Sequence, residues 1–182
     1  MNRLPASEDT IVAIASAQRA GLRGIVRIAG PQTAACLAAV LTDAELSSSF
    51  HSFPAELELG EPLGAVSCTV LHWPDGRSYT GGPQAEIHLP AAAPVLSAAV
   101  GRIVAAGARL ARPGEFTLRA FLAGRIDLTR AEAVLGVIDS ESSAELAAAL
   151  EQLAGGMATP LRKLREQLFD LLARLEAGLD FV

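Results

Sequence analysis

Lysine, cysteine and long apolar runs are all scarce or missing in this 182-residue chain. Of its 15 basic residues only Lys163 is a lysine, a bias of overall composition, so the number of arginines by itself says little about partners. The two cysteines, Cys36 and Cys68, fall in segments that read as a helix and a strand, and are expected as two buried free thiols rather than a disulfide. That reading points to the cytoplasm. No apolar run reaches the roughly 18 residues that a membrane helix needs. The first ten residues carry Arg3, Glu8 and Asp9 and no apolar core, so no secretory signal is expected and no membrane partner. His51, His72 and His88 have no ligand spacing with one another or with a cysteine, which leaves no metal site. There is no Gly-x-Ser-x-Gly elbow. There is also no Gly-x4-Gly-Lys-Ser/Thr loop, so these residues hold no P-loop site for GTP or ATP.

What is present suits a folded domain with an appendage. Half of the residues are hydrophobic, 51%, and 19% are charged, which excludes collagen-like, mucin-like and wholly disordered chains. A net charge of −5 argues against general nucleic-acid binding. The charge is uneven, however: 101–130 hold Arg102, Arg109, Arg112, Arg119, Arg125 and Arg130 against Glu115 and Asp127. Solvated helix faces or a local anion site would both account for that.

Residues 10–15 read as a strand, 16–24 as a loop and 24–29 as a second strand, with Val26 and Ile28 on one face and Arg27 on the other. Gly30-Pro31 is expected to open a helix to about Leu41, with Pro31 in its first turn. Residues 42–63 are polar and carry no clear pattern. Strands are expected at 65–73 and 84–89, separated by a Pro74-Asp75-Gly76 turn. An amphipathic helix follows over 94–107, with Val95, Leu96, Ala99, Val100, Ile103 and Val104 on its apolar stripe, and then a short strand at 108–111. From Pro113 the character changes. Thr117 is placed to cap a short helix, and Thr129 with Glu132 forms a capping box before a long Ala-rich helix ending at Gly155-Gly156. A last helix capped by Thr159-Pro160 sets Leu161, Leu164, Leu168, Leu171 and Leu175 at alternating three- and four-residue spacing, with Leu172 and Leu179 beside them. A two-helix hairpin cannot cover so wide an apolar face, which must meet the first domain, a second copy or further helices. The chain thus reads as an α+β domain with a mixed sheet over 1–118, then an α-helical hairpin over 119–182.

Three charged residues stand where one pocket could use them. Arg27 interrupts an apolar strand, and an unpaired buried charge would cost several kcal/mol, so it faces solvent, a carboxylate or a ligand. Glu86 alternates off the apolar face of its strand beside His88. Arg125 lies just past a helix end in Gly-Arg-Ile-Asp-Leu. Surface charges or an Arg–Glu ion pair would explain them equally.

A set of segments, in order, resembles one family. They are Asp-Thr-Ile-Val-Ala-Ile-Ala (9–15), Gly-Ile-Val-Arg-Ile-Ala-Gly (24–30), Tyr-Thr-Gly (79–81), Glu-Ile-His (86–88), Pro-Gly-Glu-Phe-Thr-Leu-Arg-Ala-Phe-Leu-Ala-Gly-Arg-Ile-Asp-Leu-Thr-Arg-Ala-Glu-Ala-Val (113–134), Ile-Asp-Ser-Glu (138–141) and Leu-Asp-Phe (179–181). The chain resembles the N-terminal part of the MnmE (TrmE) tRNA modification GTPases, up to the first helices and without the GTPase domain. The resemblance implies a first domain similar to the folate-binding domain of aminomethyltransferases, which binds a reduced folate and dimerises. It implies a part in modifying C5 of the wobble uridine of tRNA, with an MnmG-type flavoprotein and tRNA as partners and a homodimer as the assembly. The implied cofactor is 5,10-methylene- or 5-formyl-tetrahydrofolate. By motif, its contacts fall on Arg27, Glu86 and Arg125, a carboxylate suiting the donor edge of a pterin and guanidinium groups suiting its acidic tail. The catalytic residues are not identified.

The sequence also departs from the family around that pocket. Ser16 to Gly24 replaces a glycine-rich loop, Leu89-Pro90-Ala91-Ala92 replaces Cys-His-Gly-Gly, and Gly82-Pro83 replaces Glu-Asp. Lost glycines add methyl groups where a ligand would approach. Two other functions therefore stand beside the first. One is a divergent, standalone relative that has lost folate binding and acts as an interaction or dimerisation protein. The other is a folate-dependent one-carbon transferase acting on something other than tRNA.

Overall fold

The computed structural model describes residues 9–16, 21–42, 44, 46–154 and 158–180. Two compact units, Met1–Arg125 and Ile126–Val182, divide the chain, so the boundary falls at Arg125 and not at 118.

The first unit is built on seven strands: β1 Ile11–Ile14, β2 Gly21–Ala29, β3 Leu41–Thr42, β4 His51–Glu58, β5 Ala65–Trp73, β6 Gln84–Ala91 and β7 Arg109–Leu110. Their order is β3-β4-β5-β6-β2-β1-β7. All neighbours are antiparallel except β1 and β7. Helices α1, Thr33–Val40, and α2, Ala93–Ala105, supply Cys36, Leu37, Val40, Leu96, Ala99 and Ile103 to the core, against Val12, Val26, Ile28, Leu57, Val70, Ile87 and Leu89 of the strands. The alternation anticipated in β2 holds, with Val26 and Ile28 fully buried and Arg27 on the opposite face. Cys36 and Cys68 are free and buried, in α1 and β5, and burial pushes both thiols up.

Several local expectations are corrected. β2 begins at Gly21, with an irregularity between Gly21 and Gly24, so the loop is shorter than 16–24; its residues 17–20 lie outside the described residues. α1 starts at Thr33, because Gly30 to Gln32 form a turn in which Thr10 Oγ1 accepts from the Gln32 N–H at 2.8 Å. The unpatterned stretch holds the end of β3 and all of β4. Its period-2 signal is masked by Pro54, which is tolerated near a sheet edge because only the last residues of β4 are paired with β3. In α2, Leu96, Ala99 and Ile103 are buried, while Val104 is exposed. Thr117 caps nothing: α3, Glu115–Leu122, starts after Gly114, whose φ of 74° ends the preceding turn.

The second unit is helical, but its first helix is two. α4, Leu128–Asp139, is capped by Asp127, which accepts from the Arg130 N–H at 2.8 Å, so the Thr129–Glu132 box lies inside the helix. The chain breaks at 140–142, where Ser142 accepts from the Glu145 N–H and Glu145 reaches back to the Glu141 N–H, starting α5, Ser143–Leu153. Small residues, Ala133 and Ala149, let α4 and α5 pack closely. Gly155-Gly156 lies outside the described residues. α6, Ala158–Asp180, contains Thr159-Pro160 within its first turn, and Leu164, Leu168, Leu171, Leu172 and Leu175 are all about half exposed within this unit. The side chains of Leu161 and Leu179 lie outside the described residues.

One core residue is at odds with its surroundings. His72 is 1% exposed, faces His51 across β4 and β5 with rings 5.8 Å apart, and neither ring nitrogen has a partner among the described residues. Burial, and secondarily His51, hold its pKa below the ordinary histidine value. The folded state resists the proton that the unfolded chain accepts. Stability is therefore complete above about pH 6.5 and falls as the pH drops from there toward the folded pKa. His72→Leu is expected to raise the unfolding free energy by about 1–2 kcal/mol and to flatten that acid loss. Urea unfolding at pH 8 and pH 5.5 checks both; lower stability of the variant at pH 8 would contradict the first.

Candidate functional site

The face of the sheet opposite α1 and α2 carries the polar residues. Arg27 and Glu86 stand directly opposite each other on β2 and β6, so strand register alone makes them neighbours. Arg27 Nε and Nη2 each lie 2.9 Å from Glu86 Oε1. The other carboxylate oxygen, Oε2, is 3.1 Å from His88 Nε2. Two residues apart on β6, Glu86 and His88 necessarily share this face. All three side chains are mostly buried, Arg27 at 27%, Glu86 at 14% and His88 at 15% exposure.

Two aromatic rings close on the guanidinium. The Arg27 Cζ lies 5.8 Å from the centre of the Tyr79 ring and 5.7 Å from that of Phe116, both within cation–π range. Tyr79 belongs to the loop between β5 and β6, and Phe116 to the first turn of α3. Tyr79 donates its hydroxyl to Thr117 Oγ1 at 3.3 Å, which ties that loop to α3. Thr117 is thus a partner of the Tyr79 ring.

Arg125 is used differently. Its Nε donates to the Ser78 carbonyl at 3.1 Å and its Nη2 to the Gly76 carbonyl at 3.0 Å. It holds the backbone of the loop that presents Tyr79. The structure thus joins Arg27 and Glu86 directly and connects Arg125 to them only through that loop. Within the loop, Ser78 and Thr80 are buried, and Gln84 accepts from both the N–H and the hydroxyl of Thr80.

Sequence reasoning passed over Tyr79, Phe116 and His88 as parts of the cluster. The first two were signalled only as motif members, and their convergence depends on long-range packing. The arginine-rich stretch is also resolved in part. Arg109 and Arg119 are spent on Asp9 and Glu115, and Arg125 on carbonyls, so these three do not form the local anion site that stood as one of two explanations of the stretch.

A mostly buried carboxylate, a guanidinium and an imidazole thus gather beside two aromatic rings on one face of the sheet. The comparisons agree on the lineage. The family described as "GTP-binding protein TrmE N-terminus" matches residues 10–125, and "MnmE helical domain" matches 128–182. The chain belongs to the MnmE family. It is 51% identical over 179 residues to the tRNA modification GTPase MnmE of Rhodopirellula baltica, covering 97% of this chain and 38% of that protein. It is 42% identical over 181 residues to that of Koribacter versatilis, covering 96% of this chain and 39% of that protein. The chain therefore spans about two fifths of the length of these relatives. Among the described residues no helix is long and apolar enough to cross a membrane.

Proposed function

We propose that this chain is the reduced-folate-binding, dimerising module of a tRNA wobble-uridine (C5) modification system, working with an MnmG-type flavoprotein and tRNA. The observation that carries the reading is the Arg27–Glu86–His88 cluster flanked by Tyr79 and Phe116. Its donor set fits a tetrahydrofolate: the aromatic rings offer faces to a heterocycle, the carboxylate and imidazole offer acceptors, and the guanidinium offers charge-assisted donors to a carbonyl or carboxylate. Bound there, 5,10-methylene- or 5-formyl-tetrahydrofolate would supply the one-carbon unit. Arg125 would act by holding the Tyr79 loop, as a positioning residue. The half-exposed leucines of α6 offer an apolar face to a second copy, in keeping with a homodimer.

Calorimetric titration with 5-formyl-tetrahydrofolate tests the reading. Arg27→Ala and Glu86→Ala are each expected to weaken binding at least about tenfold, since a lost charged hydrogen bond is worth roughly 1.5–3 kcal/mol. Capture of the flavoprotein or of tRNA by the wild-type chain separates this role from one-carbon transfer to another acceptor.

A second reading has its own support. Both oxygens of Glu86 are already taken, and Arg125 is committed to backbone carbonyls, so the cluster can be a self-satisfied structural one. The chain would then be a divergent interaction or dimerisation protein. No heat and no thermal shift at millimolar folate, together with a dimer in sedimentation at tens of micromolar, would establish that reading.

A further inference from the structure

Three imidazole nitrogens of β4 and β5 are buried without a hydrogen-bond partner among the described residues: Nε2 of His51 and both nitrogens of His72. Buried polar atoms are as a rule paired, so these need an explanation. The two histidines are far apart in sequence and show no ligand spacing there, but the β4–β5 register sets them directly opposite each other. His51 is held as a metal ligand would be. Its ring stacks on Phe53, with centres 4.7 Å apart and planes 11° from parallel. Its Nδ1 lies 3.1 Å from the Ser49 carbonyl. A carbonyl only accepts, so that contact puts the hydrogen on Nδ1 and the lone pair on the buried Nε2. A backbone carbonyl on the other ring nitrogen is the usual support of a metal-bound histidine. His72, kept below the ordinary histidine pKa by its burial, is the neutral imidazole that a metal takes. The two ring centres are 5.8 Å apart. With metal–nitrogen bonds of about 2.1 Å and each nitrogen about 1.1 Å from its ring centre, two histidines on one tetrahedral ion have centres about 5.2 Å apart, within a small ring rotation of that spacing. β4 pairs with β3 only through Glu56 and Leu57, so among the described residues no strand covers the edge beside His51, which leaves a way in.

We propose that His51 and His72 form a two-histidine site for a divalent transition-metal ion, with water completing its coordination. Among the described residues no third histidine, cysteine or carboxylate joins them, so the protein supplies two ligands. Two imidazoles without a carboxylate suit zinc, copper or nickel and not magnesium or calcium. The ion ties the start of β4 to the end of β5 and stabilises the folded chain by binding it in preference to the unfolded one. This site is independent of the folate reading, since it lies on the core side of the sheet and uses none of the same residues.

Thermal unfolding of the metal-stripped full chain at pH 7.5, with zinc chloride or magnesium chloride added, tests the site. Zinc is expected to raise the melting temperature of the wild type, and magnesium to leave it unchanged. His51→Ala and His72→Leu are each expected to bind zinc at least about tenfold more weakly, because one remaining imidazole is a poor site. Both variants keep a filled core position or an edge position, and His72→Leu is expected to fold more stably than the metal-free wild type, so loss of the zinc response in it is not loss of the fold. Nitrogen-15 NMR of the histidine rings gives a second readout: zinc is expected to move the Nε2 signal of His51 and a ring signal of His72, to leave the hydrogen of His51 on Nδ1, and to leave His88 unmoved. No zinc response of the wild type at millimolar metal would overturn the proposal, as would a response that His51→Ala and His72→Leu both retain or one confined to His88.

Discussion

Arg119→Ala is expected to lower the unfolding free energy by about 3–5 kcal/mol, the range for removing one partner from a buried ion pair. Arg119 is 7% exposed and joins three separated parts of the first unit. Its Nη2 meets Asp9 Oδ1 at 2.6 Å and Glu115 Oε1 at 3.1 Å, and its Nη1 donates to the Asp9 carbonyl at 2.9 Å. Arg109 completes a four-membered network, meeting Asp9 through Nε and Glu115 through Nη1 and Nη2. Glu115 is left mostly buried with one of its cations gone, and Asp9 loses its tie to α3. The same network dictates a pH response. Hydrogen bonding from Arg109 is the largest influence holding Glu115 down, to about 2, against burial, which acts the other way. Arg109 likewise holds Asp9 below its ordinary value. A depressed carboxylate contributes stability above its unfolded pKa and loses it as the pH falls toward the folded one. Wild-type stability is therefore expected to decline from about pH 4.5 down to about pH 2, by roughly 3 kcal/mol for Glu115. Denaturant unfolding across that window checks it, and Glu115→Gln is expected to remove most of the slope while lowering stability at neutral pH. An unchanged slope in Glu115→Gln would place the acid transition elsewhere.

That network shows where sequence reading stopped. Periodicity found β5 to the residue and both ends of β6 within two, because Ala65–Trp73 and Gln84–Ala91 alternate against a single buried face. It also set Arg27 and Glu86 off the apolar faces of their strands. It could not see β4, whose proline and two carboxylates look like a loop but suit an edge. It ran α4 and α5 together, because alanine continues a helix on either side while the break depends on which way two serine hydroxyls turn. Of the candidate site, the pairing of Arg27 with Glu86 follows from register, which the sequence does not contain. The use of Arg125 on carbonyls and the approach of Tyr79 and Phe116 follow from how 76–81 and α3 fold back over the sheet. An arginine in a motif carries the same letter whether it grips a ligand or a loop.

Gly30→Ala is expected to be as damaging, and for a reason tied to the same joint. Gly30 directly follows β2 with φ at 139°, where L side chains are strained. Its N–H donates to the Pro83 carbonyl at 2.9 Å and its carbonyl accepts from the Thr33 hydroxyl at 2.7 Å, so its orientation is fixed from both sides. A methyl group there would stand 2.5 Å from the Asp9 carbonyl oxygen and 2.6 Å from the Thr10 Cα. Both are backbone atoms, and the Asp9 carbonyl also accepts from Arg119. Relief would require moving the start of β1 away from β2 and from Arg119 together. Strain of about 1–3 kcal/mol from the backbone angle, added to that displacement, puts the expected loss at about 3–5 kcal/mol. Gly60→Ala is the control: its φ is 79°, but an added methyl meets nothing within 4 Å, so only the angular cost, about 1 kcal/mol, should appear. Urea unfolding of both variants measures the difference, which isolates the collision with Asp9. Because Gly30 and Arg119 act on the same backbone segment, Gly30→Ala with Arg119→Ala should cost clearly less than the two losses added. Strict additivity would mean that the β1–β2 joint and the charge network hold the unit independently.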